Sequence, residues 1–445
     1  MTAPDKTAPG VPAETSDHPA QGHGLTRSQR RNMILRACFG VGFEYYDYAV
    51  FAIFAPFFAS QFFVSGDSTA NVLNTLLVFA LGFVMRPLGA MIAGRLADRI
   101  GRKPLMMVGL ALSAAGSLAI AVTPTYNSIG IAAVVILLVA RLAQGGGHGV
   151  ESISAYTYVA EVADPKHRAF QTSAYQVMLT LGLVQASLLG VILTSLFTDG
   201  QMHSWAWRIP FFLGALYGLF IVLMRRKLPE PVTFENSKVQ AAQEDKGYWR
   251  NVWTHRRTIG ILFLLWPGMA LGYYTFAVGY PAYAITSVGA NANTAFWAGL
   301  IAQVLYVISV PLWTKLSDAK GRRFNYTLAF GGTALLAIPL QLLLGPSFWS
   351  LVVPMTVGLV LFGCASSTEL AMNNELVPNK VRAQVMSIPS SIGAVVFGGT
   401  APFLRSWAEV NLNTWWFTGY VIVLALIALV TARMIKEPRG RDLSK

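Results

Sequence analysis

Apolar residues run in stretches of about twenty along most of the chain, the length an α-helix needs to cross about 30 Å of hydrocarbon. Polar residues are largely confined to short intervals between them. This pattern predicts a helix near each of residues 33–62, 70–93, 104–123, 130–160, 169–197 and 206–226. Six more follow near 258–286, 294–314, 325–344, 349–372, 383–407 and 414–436, twelve in all. No stretch alternates with period two over about ten residues, as the strands of a membrane β-barrel would. The expected class is therefore an all-α membrane protein. The longest polar interval after the N-terminal tail, Arg225 to Arg257, divides the helices into two sets of six. The expected organisation is a tail over 1–32, a six-helix bundle over 33–226, a linker over 227–257, a second bundle over 258–436 and a tail over 437–445. The first 24 residues are rich in Pro, Ala, Thr and His and lack an apolar core, so they read as a disordered tail and not as a cleaved signal peptide.

Composition narrows the class further. Of 445 residues, 54% are hydrophobic and 12% charged, and the mean hydropathy is +0.49. Half the usual share of charge cannot solvate the surface of a globule this large. The net charge of +13, from 34 Lys+Arg against 21 Asp+Glu, would raise nucleic acid as a partner for a soluble chain. Here the basic residues sort by loop. With the N-terminus inside, all but Arg86, Arg141, Arg208 and Arg405 fall in or beside segments on one side of the bilayer. The positive-inside rule then puts both termini in the cytoplasm, and no nucleic-acid partner is implied.

Cys38 and Cys364 both lie in apolar stretches, so neither a disulfide framework nor a cysteine-built metal site is expected. There is no G-x(4)-G-K-[ST] phosphate loop, no H-E-x-x-H and no G-x-S-x-G. ATP-driven work, a metal, a cofactor and enzymatic activity are all unexpected.

The chain repeats itself. Gly94-Arg-Leu-Ala-Asp98-Arg99-Ile-Gly101-Arg102-Lys103 recurs as Thr314-Lys-Leu-Ser-Asp318-Ala-Lys-Gly321-Arg322-Arg323. More loosely, Glu161 to Arg168 (EVADPKHR) echoes Glu375 to Arg382 (ELVPNKVR). Each pair falls at the same helix number within its half. Two alike six-helix halves imply a transporter with an alternating-access cavity between them.

These segments also carry a resemblance. G-x-L-A-D-R-x-G-R-K between helices 2 and 3 resembles the loop signature of the major facilitator superfamily. Arg141-Leu-Ala-Gln144-Gly145 is similar to that superfamily's helix-4 arginine motif. Tyr158-x-x-Glu161-x(6)-Arg168 resembles the end of the sugar-porter-type signature, although Gly146 stands upstream where an aliphatic residue is usual. Glu44-Tyr-Tyr-Asp47, Met85-Arg86-Pro87-Leu-Gly89, Trp207-Arg208-Ile-Pro210-Phe211-Phe212 and Gly398-Gly-Thr-Ala-Pro402 look like segments of the metabolite:proton symporters, the citrate, α-ketoglutarate, shikimate and proline/betaine carriers.

The resemblance implies the major facilitator fold, two pseudo-symmetric six-helix bundles, and proton-coupled uptake of a small organic acid across a bacterial inner membrane. A monomer is its default. It also implies a gating latch built from Gly94, Asp98, Arg99, Gly101, Arg102, Lys103, Glu161 and Arg168, with Asp318, Gly321, Arg322, Glu375 and Arg382 as the second-half counterparts. The alternative for these loops is a set of solvated, membrane-flanking bases.

Candidate residues inside the spans follow from the cost of charge in hydrocarbon, at least about 2.5–3.5 kcal/mol on insertion scales. Arg141, Gln144, His148 and Glu151 share one face of helix 4, and the glycines at 145, 146, 147 and 149 leave its neighbouring surface bare. Glu44 and Asp47 share a face of helix 1, close enough for one proton to relieve both. The expected proton-coupling set is Asp47, Glu44, Glu151 and His148. The expected substrate-binding set is Arg141, Arg86, Gln144, Gln303, Tyr306, Tyr273 and Tyr274. Two readings stay open for Arg86, carboxylate capture or an ion pair between helices 1 and 2; the polar stripe of helix 4 could likewise be a structural knot. Glu369 and Gln185 are further polar positions. Rival functions are carriage of a zwitterion such as proline or betaine, export, and a transporter-like sensor. Export is disfavoured because helix 5 lacks the Gly-Pro element usual in drug:proton antiporters.

Overall fold

The computed structural model describes residues 26–64, 67–100, 102–162, 168–226, 248–377 and 382–437. All the expected helices form, and no strand occurs among the described residues. In the first set α1 is Arg27–Phe62, α2 Ser68–Ile100, α3 Arg102–Val122, α4 Ile131–Val162, α5 Arg168–Leu196 and α6 Arg208–Arg225. In the second, α7 runs Arg256–Thr286, with α8 Ala292–Lys320, α9 Arg322–Leu343, α10 Phe348–Leu376, α11 over 382–411 and α12 Thr414–Met434.

Several helices overrun their apolar stretches, because backbone hydrogen bonding continues after the side chains turn polar. Thus α1 begins at Arg27, where Thr26 and Gln29 form a reciprocal capping box, and α8 continues to Lys320. A helix at Tyr248–Thr254 lies inside the stretch read as linker, where Val252 and Trp253 supply apolar surface. Ten of the described helices are long and apolar enough to cross a membrane. The other two are α1, which carries Glu44 and Asp47 mid-length, and α11, which is interrupted.

The interruptions have a chemical cause. Both α7 and α11 widen into a π-helical turn, at Tyr274–Gly279 and Ala394–Gly399, shortly before Pro281 and Pro402. A proline withholds the N–H that the carbonyl four residues earlier requires. Behind Pro281 that carbonyl belongs to Ala277, and Gln303 of α8 donates to it instead at 3.4 Å.

Helices of the first set pack closely where glycines remove side chains. A Cβ on Gly145 would overlap the Gly82 carbonyl of α2, one on Gly149 the Arg86 carbonyl, and one on Gly147 the Gly109 carbonyl of α3. The bare surface expected on α4 is therefore filled by neighbouring backbone. At the start of α6, Trp207 is fully buried among Phe58, Phe62 and Phe211. Beside it Arg208 donates to the last carbonyls of α3, Ala121 at 2.9 Å and Thr123 at 2.7 Å.

The two sets meet through α5 with α8, α2 with α11 and α1 with α7. At the end opposite the termini, Asn293 donates to Val191 O, Thr194 Oγ1 and Ser195 Oγ (2.8–3.2 Å). One turn on, Phe296 packs against Gly190, Phe54 and Phe57. Deeper, Phe83 meets Tyr274, Tyr45 meets Tyr273, and Gln176 donates to Tyr306 Oη at 2.9 Å.

Candidate functional site

Three residues of the predicted α4 stripe converge on one carboxylate of α1. Asp47 Oδ1 accepts from Ser117 Oγ of α3 at 2.5 Å and from Gln144 Nε2 at 2.8 Å. Gln144 Nε2 also reaches Ser117 Oγ at 2.9 Å, while its Oε1 accepts from Arg141 Nη1 at 3.0 Å. Asp47 Oδ2 faces Arg141 Nη1 at 3.5 Å and His148 Nε2 at 3.7 Å. All five side chains are buried.

The rest of the Arg141 guanidinium is enclosed by aromatic faces. Its Cζ lies 4.9 Å from the ring centre of Tyr48, 4.5 Å from Phe51 and 5.0 Å from Phe79. Such contacts contribute about 0.5–2 kcal/mol each. Nε and Nη2 have no hydrogen-bond partner among the described residues. The cation is held by one edge, leaving two donors uncommitted.

Glu44, one turn before Asp47, pairs with Arg86 of α2. Arg86 thus makes the ion pair between helices 1 and 2 that one of its two readings expects. Tyr48 lies between the two arginines, its ring 5.2 Å from Arg86 Cζ. Glu151 is fully buried as well, and its partner is Arg225 of α6 at 2.7 Å. Arg225 also donates to the Ala37 carbonyl of α1 at 2.7 Å. Gly40 has no room for a Cβ because this pair lies against it. Thus Glu44, Asp47 and Glu151 each face an arginine.

Of the second-half candidates, Tyr306 shares a hydrogen bond with Ser366 Oγ at 2.8 Å and accepts from Gln176 of the first half. Tyr273 and Tyr274 are buried against one another and against α1 and α2. Gln303 is committed to the Ala277 carbonyl.

At the termini-bearing end, Arg322 Nη1 donates to Asp318 Oδ1 at 2.6 Å and to Ser317 Oγ at 2.8 Å. Its Nε faces Glu375 Oε2 at 3.4 Å. Gly321 has φ of 99°, a backbone that side chains avoid. Glu437 lies against it and accepts from the backbone N–H groups of Arg322 (2.9 Å) and Arg323 (3.0 Å), capping α9. Among the first-half latch residues, Gly101 lies outside the described residues. So do the surroundings of Gly94 and the side chains of Asp98, Arg99, Arg102, Lys103, Glu161 and Arg168, as well as that of Arg382.

Sequence reasoning missed Arg225, which it counted as a loop base, and Ser117, whose only signal was a hydroxyl in an apolar helix. It also missed Tyr48 and Gln176.

Two sets of six helices, the first with paired charges in its interior, meeting between α1, α2, α5 and α7, α8, α11, define a multi-pass membrane protein of the transporter class. The chain belongs to the Major Facilitator Superfamily, whose model matches residues 37–402. It is 33% identical over 423 residues to the α-ketoglutarate permease of Escherichia coli (strain K12), covering 92% of this chain and 95% of that one. It is 30% identical over 414 residues to the citrate-proton symporter of Salmonella typhi, covering 90% and 93%. A solved D-xylose-proton symporter superposes with a TM-score of 0.76 at 18% identity, covering 92% of this chain and 99% of that chain.

Proposed function

We propose that the protein is a proton-coupled symporter of the bacterial inner membrane, with both termini cytoplasmic, that takes up a small organic acid by alternating access. The observation that carries this reading is the pairing of buried charge: Glu44 with Arg86, Asp47 with Arg141, Glu151 with Arg225. A substrate carboxylate entering that balance adds a negative charge in a medium of low dielectric. A proton on Asp47 cancels it. Protonation removes the attraction between Asp47 and Arg141, and the two uncommitted guanidinium donors then suit bidentate capture of the carboxylate. Proton and anion therefore each favour binding of the other. Coupling to transport follows if the loaded site favours the opposite-facing conformation.

The names of the α-ketoglutarate and citrate relatives support a di- or tricarboxylate as the substrate class. Proline or betaine is a second reading, favoured by the phenol faces of Tyr45, Tyr273 and Tyr274 at the junction of the halves. Such faces suit a quaternary ammonium group.

Uptake into proteoliposomes tests this. The panel is 2-oxoglutarate, citrate, shikimate, proline and betaine, each with and without an inward proton gradient and with Arg141→Gln. We expect one acid to accumulate only with the gradient and not in the variant. Accumulation of proline or betaine alone would move the substrate to the zwitterions. Accumulation indifferent to the proton gradient would overturn proton coupling.

A further inference from the structure

The mechanism above leaves a carboxyl of α10 unused. Glu369 of α10 lies two turns inside the end of its helix, with a partly exposed side chain. Every other described carboxyl discussed above has a cation or a backbone N–H against it. Among the described residues Glu369 has no hydrogen bond and no ion pair, and no charged group acts on it from the helices packed around α10. Its ionisable neighbours are three phenols: Tyr45 from α1, Tyr306 from α8 and Tyr326 from α9. From α5 the nearby polar group is the neutral amide of Gln176, bound to Tyr306, and α7 meets α10 two turns earlier, through Tyr273 against Phe362.

Its place in the fold is informative. One turn earlier on α10, Ser366 joins Tyr306, and Tyr306 joins Gln176 of the opposite half. Tyr45, on the other side, belongs to the helix that carries Glu44 and Asp47 and touches Tyr273. Glu369 thus sits on the face of the second half that looks at the first. That junction must part and close in alternating access, so the side chain meets water in one conformation and phenols in another.

An ionised carboxylate without a counter-charge at such a place is costly once water is withdrawn. A carboxylic acid there costs far less. A neutral side chain would serve mere packing better than an acid that nothing bonds.

We propose that Glu369 is a second proton-carrying site, built on the second half and separate from the Asp47 cluster. Its carboxylate takes a proton from water when the junction opens to one face of the membrane, becoming COOH. It returns that proton to water on the other face, so no other reactant is needed. Closing the junction withdraws water from a carboxyl that no described cation faces, and loss of water favours the neutral, loaded form. This inference rests on the symporter reading: it predicts that an acid with two negative charges is accompanied by a proton on each half.

The experiment uses full-length protein, as wild type, Glu369→Gln and Glu369→Asp. In detergent, infrared difference spectra between acid and alkaline buffer report the carbonyl stretch of titrating carboxylic acids. We expect one such band to vanish in Glu369→Gln and to shift in Glu369→Asp. Spectra of both variants identical to wild type would overturn the proposal. In proteoliposomes, with 2-oxoglutarate and citrate as probes, reversal potentials give the number of protons per substrate. We expect that number to fall by one in Glu369→Gln, with substrate exchange between the two faces retained. An unchanged number would overturn the proposal. Should neither probe be carried by the wild type, the substrate class fails, yet the infrared bands still decide Glu369. Should Glu369→Gln not fold, the shifted band of Glu369→Asp decides it.

Discussion

Asp47 is bonded or paired by side chains of two other helices, so its removal acts through what it leaves behind. Asp47→Asn would strand Arg141 as an uncompensated charge among three aromatic rings. Breaking a buried pair from one side costs about 3–5 kcal/mol, and we expect a large fall in thermal stability in detergent together with loss of gradient-driven uptake. The double variant Asp47→Asn/Arg141→Gln removes both charges. It should recover most of the stability and none of the uptake. Recovery of uptake would separate the pair from coupling. Glu151 and Arg225 obey the same rule at the neighbouring site, where the pair also touches the Ala37 carbonyl. Arg225→Met should therefore destabilise more than Glu151→Gln/Arg225→Met, a comparison read by unfolding temperature.

At the scale of elements, α4 is positioned by what its glycines lack. Gly145 faces the Gly82 carbonyl of α2, whereas Gly146 has open space where a Cβ would stand. Gly145→Ala must push α2 from α4 and tilt Arg141 relative to Asp47, and overpacking of this kind costs about 1–3 kcal/mol. Gly146→Ala should be close to neutral. Thermal unfolding of the two variants side by side checks the contrast, and equal effects would contradict the packing. The second set shows how a helix end is fixed from a distance. Glu437, beyond α12, caps α9 next to the Asp318–Arg322–Glu375 cluster. Glu437→Gln keeps an acceptor but loses the charge that favours a helix N-terminus by about 0.3–1 kcal/mol. We expect faster amide hydrogen exchange confined to the first turn of α9.

For the whole molecule the decisive contacts are those between halves. Phe296 lies where a side chain on Gly190 would have to stand, and Asn293 ties the same ends together. Gly190→Leu should therefore hold that end apart. A cysteine placed at Tyr45 would then react faster with a membrane-impermeant maleimide added from that end, the native Cys38 and Cys364 being buried. Unchanged labelling would place the closure elsewhere. Gradient-driven uptake should fall in the same variant, because the cycle cannot leave the open state.

The chain alone determined the helices, because twenty apolar residues have no cheaper way to satisfy their backbone in hydrocarbon than by coiling. It also determined which polar residues share the inner face of α4 and of α1, since 3.6 residues per turn sets that geometry locally. Family membership was legible for a related reason: the motif around Asp98, repeated at Asp318, is a local string. What tertiary structure alone decided was pairing. Asp47 could have met Arg86 as readily as Arg141, and nothing in the spacing distinguishes them. Which carboxylate Arg86 faces was likewise open until α1 and α2 were seen side by side. Charges far apart in the chain find each other through helix rotation and crossing, which packing of glycine against backbone sets and hydrophobic periodicity does not record.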